Sequence, residues 1–177
     1  DNGAIHATFP FDNMSSPLSN QIATPDSVCD FTAKLYNHSG LSFGGGFNQT
    51  VGAYGYAFYI SGNTINLVDV SCDVSGLATT TVLASAAITQ ADYDGVDVSY
   101  RVRGQYALDE AIGQIITIYK ITDGMPVEIL SWNSENDAGK KVKSISGWSF
   151  GGFWDYADGS SGEILQISGG TIYSKIA

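Results

Sequence analysis

The sequence predicts an all-β fold: a two-sheet antiparallel β-sandwich or jelly roll, formed by one domain over residues 1–177. Three observations predict it. Apolar and polar residues alternate at period two, as in Val96, Val98, Tyr100 and Val102 against Asp97, Ser99, Arg101 and Arg103. Turn residues punctuate the chain at short, regular spacing, and no stretch sustains a helical period. The composition is 44% hydrophobic, 12% aromatic and only 15% charged, with 21 glycines and ten tyrosines, a mix suited to turns and half-buried strands. At 177 residues the chain is long enough for one sizeable core.

Residues 4–11 read as an opening strand that Pro10 places at an edge or strand end, and 12–28, with two prolines, as a long surface loop. Strands follow around 30–36, 40–47 and 52–60; the last sets Tyr54, Tyr56, Phe58 and Ile60 on one face against Gly55 and Ala57. Ser61-Gly62-Asn63 is a turn, and 64–72 is a strand. Residues 77–89 begin β-prone and soften into an Ala-rich stretch suited to a helical turn. The alternating segment from Val96 comes next, then a loop or short helix at 107–113. Ile115–Thr122 and Val127–Trp132 flank Asp123-Gly124 as a hairpin. A polar loop at 133–141, a segment from Val142 to Phe150, and two closing strands at 162–168 and 171–176 bring the count to ten to twelve.

One string occurs twice. Gly40-Leu41-Ser42-Phe43-Gly44-Gly45 is echoed by Gly147-Trp148-Ser149-Phe150-Gly151-Gly152. Paired glycines cost a helix too much backbone entropy, but they suit a strand that bends or lies close to a neighbour. The repeat therefore predicts that the two ends of the chain lie side by side in one sheet, with Phe43 and Phe150 in the core.

The formal net charge is −10, which repels a phosphate backbone and excludes nucleic acid as the expected partner. Anionic polysaccharide is disfavoured for the same reason unless a local basic patch or bridging cation intervenes. Neutral glycans and cations are the expected partners. No apolar run reaches the length of a membrane span. Cys29 and Cys72 either pair, closing a loop that stabilises by roughly 3–4 kcal/mol, or remain separate buried thiols. Sequons at Asn13, Asn37 and Asn48 hint at an extracellular setting.

Three stretches resemble the laminin-G-like, or concanavalin A-like, jelly-roll superfamily. Phe9-Pro10-Phe11-Asp12 resembles its opening strand and Gly40–Gly45 the turn before its first long aromatic strand. Gly151 to Tyr173 resembles its closing signature, a Gly-rich strand end and acidic loop followed by two strands. The resemblance implies a concanavalin A-like sandwich. It also implies that calcium can bridge the late loop Asp155–Glu163 and Asp12, with Asp155, Asp158 and Glu163 supplying oxygens. The alternative for that loop is a solvated turn at Asp158-Gly159. The fold hosts lectins, lyases, hydrolases and adhesion modules, so function does not follow from it.

Catalytic material is sparse. Glycoside hydrolysis needs two carboxylates across the scissile bond, and the four glutamates, Glu110, Glu128, Glu135 and Glu163, do not share a strand. Jelly-roll lyases use Arg, Gln, His and Tyr on one sheet. Arg101, Arg103 and Gln105 do share one side of a strand, but a solvated face balancing Asp97 is the preferred account of them. With only His6 and His38, a His-based triad or zinc site lacks material.

Aromatic faces that stack on pyranose rings are the remaining lead. Trp148, Trp154 and Tyr156 cluster beside Asp155, and Trp132 on the hairpin is either core or a surface platform. The expected function is a non-catalytic, lectin-like carbohydrate-binding or attachment domain of a secreted, cell-surface or virion protein. Trp154, Tyr156, Asp155, Trp148 and Trp132 are its expected contacts. A structural or assembly domain of a viral fibre or tail, forming a homo-oligomer, is the alternative, and a polysaccharide lyase or glycoside hydrolase is the third reading.

Overall fold

A computed structural model describes residues 4–9, 18–20, 26–44, 54–72, 78–106, 114–134, 148–154 and 166–175. Twelve strands lie among them: β1 (Ala4–Phe9), β2 (Leu18–Asn20), β3 (Asp26–Lys34), β4 (Ser39–Gly44), β5 (Tyr54–Ser61), β6 (Thr64–Cys72), β7 (Ala78–Ala87), β8 (Asp97–Tyr106), β9 (Gln114–Thr122), β10 (Met125–Asn133), β11 (Trp148–Trp154) and β12 (Gln166–Lys175). They form two six-stranded antiparallel sheets. The first, sheet A, has the order β1-β12-β3-β8-β9-β10; the second, sheet B, has the order β2-β11-β4-β5-β6-β7.

Chain ends meet chain starts in both sheets. In sheet A, β1 pairs with β12. In sheet B, the repeated string pairs with itself: β4 lies against β11 with Phe43 opposite Phe150 and Ser42 opposite Gly151. The duplicated sequence is thus a pair of neighbouring strands, as the repeat predicted.

The inward faces follow the period-two strings. Sheet A contributes Phe31, Val98, Tyr100, Val102, Ile116, Ile118, Leu130 and Trp132; sheet B contributes Leu41, Tyr56, Phe58, Ile60, Ile65 and Leu67. An aromatic cluster ties the layers together. The Tyr100 ring lies 5.6 Å from Phe31 on its own sheet and 5.4 Å from Phe58 across the sandwich. Sheet B is also buried on its other side at the centre, where Ala57, Tyr59 and Val68 form a second cluster.

Three sequence expectations change. The Ala-rich end of 77–89 is strand to Ala87 and not helical; Ala84 and Ala86 pack against the core while Ser85 Oγ donates to Asn66 Oδ1 at 2.7 Å. Small residues at alternate positions fit a sheet as well as they fit a helix, and the β6 ladder decides. The two closing strands are one, β12, with a register shift between Ile167 and Gly170 where a turn was expected. The loop at 12–28 contains β2, and β3 already begins at Asp26. The hairpin at Asp123-Gly124 stands as expected, with φ of 52° and 76°, the positive pair that a tight two-residue hairpin turn requires.

Cys29 lies on β3 of sheet A and Cys72 at the end of β6 of sheet B. The Asn37 sequon serves the fold: its Oδ1 accepts from Gly62 N at 2.8 Å, and its N–H donates to Asp94 Oδ1 at 3.0 Å. These bonds join three loops at one end of the sandwich.

Tyr100 is fully buried, and its hydroxyl has no hydrogen-bond partner among the described residues. Burial first, and the neighbouring Tyr93 second, push its pKa far above the ordinary phenol value. The folded pKa is raised, so this group leaves stability intact below the unfolded value of about 10 and erodes it as pH climbs above that. The loss is about 1.4 kcal/mol per pH unit. Tyr100→Phe is expected to match or exceed the wild type at pH 7, because it removes an unsatisfied buried group. It should also flatten the alkaline decline. Urea unfolding from pH 7 to pH 11 checks this; equal alkaline slopes in both proteins would contradict it.

Candidate functional site

The sheet A residues that alternate with the core make a continuous polar face. On β8, Val98, Tyr100 and Val102 point into the sandwich, which turns Asp97, Ser99, Arg101 and Arg103 outward. The ladders then build cross-strand rows. One row runs Asp30 (β3), Arg101 (β8), Tyr119 (β9) and Glu128 (β10); the next runs Val28, Arg103, Thr117 and Ser131.

At the centre of this face Arg101 grips Asp30 with both prongs of its guanidinium, Nε to Oδ1 and Nη2 to Oδ2, each at 2.7 Å. The two side chains are 32% and 21% exposed, so the pair orients the guanidinium more than it stabilises the fold. Hydroxyl pairs flank it: Thr32 with Ser99 at 2.9 Å, and the buried Thr117 with the exposed Ser131 at 3.0 Å. The expectation that the arginines balance Asp97 changes here. Asp97 instead faces Lys34 at 3.8 Å, and its side chain is 65% exposed.

Charge is segregated between the sheets. The sheet A strands carry five of the eight cations, Lys34, Arg101, Arg103, Lys120 and Lys175, against four of the eighteen acids, Asp26, Asp30, Asp97 and Glu128. The sheet B strands carry a single charged residue, Asp69. Lys120 shares the inner side of the sheet with Tyr100, so the outward side chains Lys34, Arg101 and Arg103 balance Asp30, Asp97 and Glu128, and in a chain of net charge −10 this face is locally neutral instead of acidic. Guanidinium groups, a tyrosine edge and paired hydroxyls are groups that hydrogen-bond and stack with polyols and carboxylates.

A smaller recess of about 250 Å³ opens at the flank of the sandwich between Ile88, Tyr93, Lys120, Val127 and Glu128. There the Lys120 ammonium sits 4.7 Å from the Tyr93 ring centre.

The residues expected from sequence fare differently. Trp132 is a correction: at 5% exposure it packs in the core, 6.1 Å from the Tyr56 ring, and offers no face to a sugar. Inward alternation on β10 puts it there, level with Leu130. Trp148 and Trp154 occupy the two ends of β11, opposite Asn20 and Ser39. Asp155 and Tyr156, and the calcium candidates Asp12, Asp158 and Glu163, lie outside the described residues. Among the described residues no group of three His, Cys, Asp or Glu side chains is placed to hold a metal ion. Sequence reasoning missed Asp30, since its partnership with Arg101 depends on the register of strands 71 positions apart.

The fold and this face define a two-sheet β-sandwich with one polar, cation-bearing sheet. No family model matches the chain, and no curated protein does. Solved structures match its fold. A GH43 glycoside hydrolase engineered to display endo-xylanase and exo-arabinofuranosidase activity superposes with a TM-score of 0.51 at 14% identity. That match covers 96% of this chain and 34% of the hydrolase, so the chain spans about a third of that enzyme's length. Sheep galectin-11 (TM-score 0.43, 9% identity) is matched over 86% of this chain and 96% of its own. The CBM40 of a Ruminococcus gnavus sialidase, bound to α2,6-sialyllactose, gives a TM-score of 0.46 at 11% identity over 97% of this chain and 93% of its own. The neighbours are β-sandwich domains of carbohydrate-active and carbohydrate-binding proteins.

Proposed function

We propose that this chain is a carbohydrate-binding, lectin-like domain of a secreted, surface or virion protein, and that its glycan docks on the outward face of sheet A. The observation that carries the reading is the row Asp30–Arg101–Tyr119 with Arg103 beside it: oriented guanidinium, aromatic and hydroxyl groups on a sheet face whose charges balance. That arrangement adds glycans bearing a carboxylate, through Arg103, to the neutral sugars expected from net charge alone. A carbohydrate-active protein of similar fold supports the class.

The test is a glycan array with neutral and acidic members, read with Arg103→Ala and Tyr119→Ala and with melting temperature as the folding control. Loss of about tenfold or more in affinity at unchanged melting temperature is expected, since a charge-assisted contact contributes about 1.5–3 kcal/mol. If binding survives both changes and vanishes in Trp154→Ala, the site lies at the end of β11 instead. A second reading, a polysaccharide lyase, draws on the same arginines beside Tyr119. Release of unsaturated uronate from a polysaccharide panel would establish it.

A further inference from the structure

We infer that the β7 edge of sheet B is a docking strand for a second copy of this chain, joined by antiparallel pairing about a two-fold axis at Thr80. Among the described residues each sheet has two edges, and three of the four are short or obstructed. β2 has three residues and β1 has six. β10 carries Pro126 and Glu128 and a register irregularity just beyond them, the devices by which edges are kept from pairing. By contrast, β7 runs ten residues without a charge or a proline. One side of its backbone is bonded to β6, and among the described residues no strand pairs with the other.

The occupant follows from charge and from sequence symmetry. Two bodies of net charge −10 repel, so a second copy approaches only where charge is missing. The 18 residues 74–91 contain no Asp, Glu, Lys or Arg, and β7 lies wholly within them. The segment Ala78-Thr79-Thr80-Thr81-Val82 reads nearly the same in both directions. A two-fold through Thr80 sets Thr80 opposite its own copy, Thr79 opposite Thr81 and Ala78 opposite Val82. Threonine pairs and small apolar pairs are favourable cross-strand neighbours, and an isologous contact needs this self-complementarity. Thr80, Thr81 and Val82 are all exposed, Val82 by 52%. The irregularity opposite Leu67 and Val68 closes the segment at Leu83.

Sedimentation over a wide dilution series tests this. The wild type is expected to shift with concentration from the 18.7 kDa monomer to twice that mass. Thr80→Glu, which places two carboxylates face to face at the axis, should remain monomeric throughout, with an unchanged circular dichroism spectrum and melting temperature at low concentration. Val127→Glu, on the neighbouring edge, should still dimerise. Amide exchange should slow in 78–82 only in the concentrated wild type. A wild type that stays monomeric, a Thr80→Glu protein that still dimerises, or exchange that slows elsewhere would overturn the inference. Glycan binding by the monomeric variant is independent of it.

Discussion

Gly40→Ala is expected to destabilise the protein by about 3 kcal/mol or more, at the upper end of what overpacking costs. A β-carbon at position 40 would collide with the Phe58 carbonyl oxygen and fall 2.6 Å from the Tyr59 Cα. Both are backbone contacts of the neighbouring strand, so no rotamer relieves them. Gly40 pairs with Tyr59 in the β4–β5 ladder and is itself buried; the absence of a side chain is what lets β4 close on β5. Since a domain's total stability is about 5–15 kcal/mol, the change removes a large share of it. Gly62→Ala and Gly124→Ala supply the contrast. Their φ values are +54° and +76° with nothing within 4 Å, so only the left-handed backbone penalty of about 1–2 kcal/mol applies. Urea midpoints of the three variants check the order. A Gly40→Ala protein no less stable than Gly124→Ala would refute the close approach.

The same glycine shows what the sequence made legible. Its place at the head of a duplicated strand pointed to close backbone packing and to the pairing of the chain's two ends, because sparse side chains and repeated aromatics constrain a sheet locally. Strands β5, β6, β8 and β9 were readable for a similar reason, since one face of each alternates into the core, whereas the small residues of β7 left its end open to a helical reading. The candidate site was less readable. Arg101 and Arg103 were visible on one side of β8, but their surroundings depend on which strands flank it and in what register. The pairing of Asp30 with Arg101, in preference to the nearer Asp97, is a property of the β3–β8 ladder. Trp132 shows the opposite limit. Alternation on β10 fixes its side of the strand, but only the sandwich shows that this side is the core, and the irregularity between Glu128 and Leu130 obscures the period.

Phe58→Ala is expected to cost about 3–5 kcal/mol, the range for removing a large buried aromatic and leaving a cavity. Phe58 is completely buried on β5, with its ring 5.4 Å from Tyr100 and 6.2 Å from Phe31. These contacts join sheet B to the two strands of sheet A that carry Arg101 and Asp30. Phe58→Leu keeps most of the volume and should cost clearly less, because the cavity it leaves is smaller. The comparison separates packing from recognition. Below its lowered melting temperature, Phe58→Ala should still bind glycan with near-normal affinity per folded molecule, because the β3–β8 ladder and the Arg101–Asp30 pair lie on the far side of the sheet. Arg103→Ala should show the reverse, lost affinity with the melting temperature unchanged. Calorimetric melting beside titration of an acidic oligosaccharide measures both. A Phe58→Ala protein that melts like the wild type would refute the aromatic cluster as the link between the sheets. One that stays folded but loses glycan affinity would show that the polar face depends on the core beneath it.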